Sequence, residues 1–292
     1  MKQQRKAIII WSALGCLAII IIVNFIFNHA SPLSASPAQT DQANQANVKN
    51  TDTLPGDTNK KLQQKIQEKH TPTASALIQE GNTALPLGKL IANIPAKDNK
   101  TVYLTFDDGP GNYTKDIASI LQHYGIHGSF FWIGDQVTNE LGQFGHQMIE
   151  QGDVIGSHTM HHDALGKENA AQQKEDLTAT ATLLEKKIGH KIDYIRPPYG
   201  SVNRDTKKVG KEIGEYIIFW QVDSLDWSLA HDPQKILTNI EKDHLTPGAI
   251  ILMHERKQTV EMLPKVIEYI RSKGYNMAAL PASPIPKVEK GK

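Results

Sequence analysis

Seven short apolar runs, at 102–106, 129–133, 153–156, 193–195, 216–221, 249–253 and 276–280, punctuate the second two-thirds of the chain. Between them lie the longer stretches Tyr113–Tyr124, Val137–Gln151, Asn169–Ile188, Thr206–Ile213, Pro233–His244 and Val260–Lys273, where apolar residues recur at helical spacing. Strand and helix in strict alternation imply right-handed crossovers and a parallel sheet. The expected fold class is α/β, a distorted barrel of parallel strands with seven to eight β/α units. Periodicity alone fits an open doubly wound sheet equally well.

A different pattern opens the chain. Ala7 to Phe27 is an almost unbroken apolar run preceded by Lys2, Arg5 and Lys6. At ~1.5 Å per residue it reaches about 30 Å, the thickness of a bilayer core. The flanking positive charges keep residues 1–6 in the cytoplasm and send the remainder out. The expectation is a single-pass membrane anchor over 7–27 with an extracytoplasmic catalytic domain. The alternative is secretion after cleavage near Leu33-Ser34-Ala35. Ala13-Leu14-Gly15-Cys16 resembles a lipid-attachment site, but the apolar run continues well past Cys16.

From 28 to 98 the composition shifts to Gln, Asn, Thr, Ser, Pro, Ala and Lys, with too little regular apolar spacing to bury a core. It reads as a flexible polar linker. The catalytic domain is expected over 99–283, followed by a tail over 284–292. The one cysteine, Cys16, falls inside the membrane run, so the exported part forms no disulfide. A core of roughly 190 residues is large enough to fold without one. With a net charge of +1 and no long basic tract, nucleic acid is excluded as a partner.

Candidate chemistry gathers where the apolar runs end. Leu104-Thr105-Phe106 stops in Asp107-Asp108-Gly109-Pro110, two acids and a strong turn signal. A regular strand would point adjacent acids to opposite faces, but the turn lets both approach one cavity. Ser157-His158-Thr159-Met160-His161-His162 follows the next glycine-containing run. On a helical turn, His158 and His162, four apart, would share one face and reach one ion. Two histidines and an aspartate form a three-ligand set with open positions, the pattern of a catalytic metal site. Arg196-Pro197-Pro198-Tyr199-Gly200, Asp223-Ser224-Leu225-Asp226-Trp227 and His254 stand at three further strand exits. In a parallel barrel all such exits converge on one face.

These five fragments, in this order between Val102 and about Leu280, resemble the five motifs of the polysaccharide deacetylase family, carbohydrate esterase family four. Carried over residue by residue, the resemblance implies that Asp107 is the general base. Asp108, His158 and His162 would hold a divalent metal, zinc first, with cobalt, manganese and nickel as alternatives. It further implies that Arg196 pins the carboxylate of Asp107 and that Asp226 orients His254, the general acid. The main-chain N–H of Tyr199 would face the developing oxyanion. Trp227 and Leu252 would wall the acetyl methyl group, with Pro197 also lining the substrate site. His161 is no ligand in that pattern and reads as a solvated histidine.

Amide hydrolysis needs a nucleophile at neutral pH, an oxyanion stabiliser and a proton for the leaving amine; metal, aspartate and histidine answer those needs. The implied activity is removal of N-acetyl groups from N-acetylglucosamine residues of peptidoglycan. The alternatives are a deacetylase of chitooligosaccharides, an O-acetyl xylan esterase, and an inactive wall-binding module. The implied partners are an N-acetylated glycan and the membrane.

Overall fold

The computed structural model describes residues 84–282 and 284–286. The expected membrane segment and most of the expected linker lie outside the described residues. Among the described residues no helix is long and apolar enough to cross a membrane.

The organising element is β3 (Thr101–Gly109), whose residues are all buried except the half-buried Asp108. It pairs in parallel with β4 (Ser129–Trp132) on one side and β9 (Ile250–His254) on the other. Beyond β4 the sheet continues through β5 (Val154–Ser157), β6 (Tyr194–Ile195), β7 (Tyr216–Ile218) and β2 (Leu90–Ile91), and beyond β9 it ends at β8 (Val222–Asp223). The strand order is therefore β2-β7-β6-β5-β4-β3-β9-β8. β10 (Asn276–Ala278) pairs with the first residues of β3. Every strand pair in this sheet is parallel, and its strands are buried on both faces, which explains apolar runs without alternation.

The run expected at 216–221 is split from its continuation. β7 lies beside β6, while β8, only a few residues later, pairs with β9 at the other end of the strand order. One short stretch of chain therefore bridges both ends of the sheet, which curls into a half-barrel. Backbone bonds draw the gap together: Phe219 N–H donates to Ile91, Gln221 N–H donates to Ile250, and Asn93 forms an antiparallel bridge with Ala249.

The helical periodicity holds at every expected position. The helices are α1 (Thr114–His123), α2 (Asn139–Gln151), α3 (Ala170–Ile188), α4 (Arg204–Ile213), α5 (Gln234–Lys242) and α6 (Lys257–Ser272). Local chemistry sets their ends. Thr138 caps α2, while Asn169 with Gln172 and Asn203 with Thr206 form reciprocal capping boxes on α3 and α4. Gly152, Gly189 and Gly214 terminate the same three helices in the left-handed conformation.

Successive strand residues feed opposite sides of the sheet. Phe130 and Trp132 join Phe106, Ile117, Leu121 and Met148 in the helix-facing core. Phe131, between them in sequence, joins Tyr103, Tyr194, Ile218 and Ile250 in a second cluster.

Two boundaries differ from expectation. The last part of the expected linker, residues 84–98, already belongs to the fold: β2 pairs with β7, and Leu85, Ile91 and Ile94 are buried in the second cluster. Within the expected tail, β11 (Ile285–Pro286) pairs with β1 (Ala84–Leu85). Both elements are two residues long, too short for any periodicity to register. Ile94, fully buried, tests the corrected boundary. Ile94→Ala should cost about 2–5 kcal/mol, seen as a lower urea midpoint at unchanged slope. An unaltered midpoint would restore the linker assignment.

Candidate active site

Asp107 ends the regular part of β3, directly opposite His254 of β9 in the strand register. The β3–β4 pairing then slips between Asp107 and Gly109, and Asp108 at the slip has φ 69°. This left-handed bulge turns both acids to one cavity, as the Asp-Asp-Gly-Pro sequence suggested. Holding a non-glycine residue there costs of order 1–3 kcal/mol, a strain typical of functional sites. Gly109 is required by space as well: a Cβ on it would collide with the carboxyl of Glu255.

The histidines reach the cavity differently from expectation. Residues 158–162 are a loop, not a helical turn, with Thr159 and His162 at φ 66° and 64°. Three bonds pin this loop: Gly134 N–H donates to the Thr159 carbonyl, Asp135 N–H to the Met160 carbonyl, and Met160 N–H to Asp176 Oδ1. The four-residue spacing thus works through two left-handed residues, which no periodicity signals. His161 points elsewhere and pairs with Asp135 at 2.5 Å, in keeping with its reading as a solvated histidine.

Asp108 Oδ1 lies 3.6 Å from His158 Nε2 and 3.1 Å from His162 Nε2. The buried Nδ1 of His158 donates to the Arg196 carbonyl at 2.6 Å, which leaves the Nε2 lone pair facing the cavity. Burial alone would raise the pKa of Asp108. The facing imidazoles of His158 and His162 and the charge on His254 outweigh it, holding the carboxyl well below its usual range.

This donor set suits a divalent transition metal. One ligand atom from each of Asp108, His158 and His162 lies within 4.8 Å of the others. Neighbouring ligands of a tetrahedral zinc at ~2.0–2.1 Å stand about 3.3 Å apart, close to the separations around Asp108 Oδ1. That oxygen is buried and has no hydrogen-bond partner, so an ion would satisfy it.

Arg196 is fully buried. Its Nη1 donates to Asp107 Oδ1 at 2.8 Å and to Thr105 Oγ1 at 2.9 Å, its Nη2 to the Phe219 carbonyl at 3.2 Å, and its guanidinium stacks 4.2 Å from the centre of the Phe131 ring. Burial pulls its pKa below the ordinary arginine value and the Asp107 carboxylate opposes the fall.

On the other side of the cavity, His254 Nδ1 meets Asp226 Oδ1 at 2.7 Å. Asp226 is itself fixed, accepting from the His254 main chain at 2.7 Å and from the Thr259 hydroxyl. Burial lowers the pKa of His254, but Asp226 and the charges of Asp107 and Asp108 more than reverse this, leaving it above the ordinary histidine value. His254, biased toward its protonated form, therefore stands opposite Asp107 across adjacent strands, a donor and acceptor pair for proton transfer.

The remaining expected residues divide. Tyr199 takes φ 59° and is 75% exposed, with its ring centre 4.8 Å from that of His162. Trp227 is 57% exposed at the rim. Leu252 is almost wholly buried, two residues before His254. Pro197 is not an open wall: it is buried and its carbonyl accepts from Gly200 N–H, so it shapes the turn that presents Tyr199. A cavity of about 300 Å³ adjoins His162 and Tyr199, lined also by Asp163, Lys167 and Glu168.

Two residues escaped sequence reasoning. Arg256 Nη2 reaches Asp108 Oδ2 at 2.6 Å, and Glu255 buries its carboxyl beneath Gly109, bonded to Thr114 and Trp132 Nε1. Only their nearness to His254 could have flagged them.

A parallel half-barrel whose strand exits carry a buried aspartate, a donor set of one aspartate and two histidines, and an aspartate-supported histidine is a frame suited to hydrolysis. The polysaccharide deacetylase family model matches residues 95–218. The peptidoglycan-N-acetylglucosamine deacetylase PgdA of Listeria monocytogenes is 33% identical over 199 residues, covering 67% of this chain and 41% of its own length. The chain thus corresponds to less than half of that relative. A Bacillus cereus peptidoglycan-N-acetylglucosamine deacetylase is 31% identical over 196 residues, covering 63% of this chain and 70% of its own. The peptidoglycan-N-acetylmuramic acid deacetylase PdaA of Bacillus subtilis is 31% identical over 188 residues, covering 62% and 70%. Among solved structures, a Bacillus anthracis CE4 family pseudoenzyme superposes with TM-score 0.61 at 26% identity, covering 66% of this chain and 68% of that one. The chain belongs to the polysaccharide deacetylase family.

The buried ion pair supplies a stability test. Arg196→Leu leaves Asp107 charged and unpaired and should cost about 3–5 kcal/mol, a fall in Tm of roughly 6–20 °C by calorimetry. Adding Asp107→Leu should restore a substantial part, since the stranded charge disappears.

Proposed function

We propose that this protein is a divalent-metal-dependent N-deacetylase that removes acetyl groups from N-acetylglucosamine residues of peptidoglycan, releasing acetate. The observation that carries this reading is the register match of Asp107 with His254 across β3 and β9, with Asp108, His158 and His162 converging beside them. The peptidoglycan deacetylases among its relatives support the substrate class.

Asp108, His158 and His162 would hold the metal, zinc by first preference, with cobalt, manganese or nickel as alternatives. When bound, such an ion supplies Lewis acidity, both to the attacking water and to the acetyl carbonyl. Asp107, held by Arg196, takes the proton that water loses as its oxygen joins the carbonyl carbon. The left-handed turn at Tyr199 presents main chain to the oxygen on which negative charge develops. His254, charged and oriented by Asp226, gives its proton to the amide nitrogen as the C–N bond breaks, so the amine leaves neutral. Trp227 and Leu252 flank the methyl group.

A glycoside hydrolase is a poorer reading, because its two carboxyls stand ~5 to 9 Å apart on opposite sides of the bond. Asp107 and Asp108 are neighbours on one bulge. The likeness to a pseudoenzyme makes silence a real alternative, but every motif residue is present here. In this reading Ala7 to Phe27 anchors the protein and the catalytic domain works outside the membrane, with secretion after cleavage as the alternative.

The decisive measurement is acetate released from N-acetylglucosamine polymers, chitooligosaccharides and O-acetyl xylan, with and without a chelator. Release from the first should disappear on chelation, return with zinc, and fall by about 10²–10⁴-fold in Asp107→Asn. Turnover that survives complete metal removal would overturn the mechanism, and sugar binding without product would favour a wall-binding module.

The pH profile is a further check. His254 has a raised pKa, so the donor form is complete on the acid side and is lost as pH rises through that pKa. The alkaline limb of kcat/KM should follow it. Asp226→Asn removes the main stabiliser of the charged form, so that limb should move to lower pH. A stationary limb would assign the proton to another group.

A further inference from the structure

Away from the catalytic cavity, His146 and Glu150 stand one turn apart on α2, and His190 follows the end of α3. One ligand atom from each lies within 4.8 Å of the others. We propose that His146, Glu150 and His190 form a second divalent-cation site, selective for zinc-class ions, which clamps the end of α2 to the connection between α3 and β6.

The i, i+4 spacing on a true helix puts His146 and Glu150 on one face. His146 Nδ1 donates to the Ile188 carbonyl at 3.0 Å. That bond fixes the ring and leaves its Nε2 with the free lone pair, as a carbonyl commonly does behind a metal-binding histidine. His190 Nε2 is buried and stands 3.2 Å from Glu150 Oε1, yet the two make no directed hydrogen bond. Such proximity without alignment arises when two donors aim at a shared third point. The catalytic group repeats it: Asp108 Oδ1 is 3.1 Å from His162 Nε2 and also lacks a hydrogen bond. The ring centres match as well, 4.9 Å for His146 and His190 and 4.9 Å for His158 and His162.

Position separates the two sites. His158, His162 and Arg196 follow the carboxyl ends of β5 and β6, whereas Glu150 and His190 precede their amino ends. The second site therefore lies at the opposite end of the sheet. His146 and Glu150 are exposed, leaving room for water as a further ligand. Two imidazoles and one carboxylate favour zinc, copper or nickel over magnesium or calcium. The ion would tie residues 146 and 190 in a domain whose sequence offers no disulfide, and it stabilises whatever folded state binds it. This inference is independent of the proposed activity.

The test is equilibrium dialysis of the metal-stripped full chain against low-micromolar Zn²⁺, with bound metal counted by atomic emission. Wild type should hold two ions. His190→Gln should hold one and keep its acetate release, and Asp108→Asn combined with His162→Gln should also hold one. Zn²⁺ should raise the Tm of that last variant, and adding His190→Gln should abolish the rise. A His190→Gln variant that holds as many ions as wild type overturns the proposal. If His190→Gln fails to fold, His146→Gln is the independent change that should lower the count by one, and an unchanged count there overturns the proposal.

Discussion

The structure depends on burying Arg196. A guanidinium sealed inside a protein costs several kcal/mol in lost hydration and is tolerated only when its charge is paired and most of its donors are met. Here Nη1 and Nη2 are met from three separate segments, Thr105 and Asp107 on β3, the Phe219 carbonyl after β7, and the face of Phe131 on β4, while Nε has no hydrogen-bond partner. Arg196 thereby couples strands that are far apart in the sheet order. Its main chain acts at the same time, because its carbonyl accepts from His158 and selects the tautomer able to bind metal. One residue thus orients both Asp107 and His158.

The second constraint is the bulge at Asp108, and Glu255 underlies it. Its carboxyl fills the space that a side chain at Gly109 would need. Burial, against the opposing hydrogen bonds from Thr114 and Trp132, pushes its pKa up to about 8. At neutral pH it is therefore largely an uncharged acid. A third carboxylate charge next to Asp107 and Asp108 would repel both; a neutral carboxyl supports the turn without that cost. Arg256 complements it from the solvent side, occupying the oxygen of Asp108 that does not face the histidines.

Much of this was legible in the sequence, and the omissions share a cause. Apolar runs revealed the central strands because both faces of a parallel sheet are buried, and apolar residues at helical spacing revealed the helices. The five motif fragments stood at strand exits, so their convergence followed from topology. The two-residue strands at Ala84 and Leu90 carried no period and were read as linker. His158 and His162 were placed on a helical turn, although left-handed Thr159 and His162 create their approach. Glu255, Arg256 and the His146, Glu150 and His190 group depend on contacts between segments distant in sequence, which no local pattern encodes.

The site is rigid where chemistry needs distance and open where it needs discrimination. Asp107 and His254 are cross-strand partners, so their separation is set by ladder hydrogen bonds and resists side-chain repacking. The candidate metal ligands His158 and His162 sit on a loop, but it is held by main-chain bonds to Gly134 and Asp135 and by Asp176. Among the described residues, Tyr199, Leu225 and Trp227 are the large apolar side chains left exposed, and each lies on a turn beyond a strand end. Exposed aromatic faces gain little for folding and much for stacking on a sugar ring. Changes at these turns can therefore alter what the open side of the site contacts while the ladder keeps Asp107 and His254 in place.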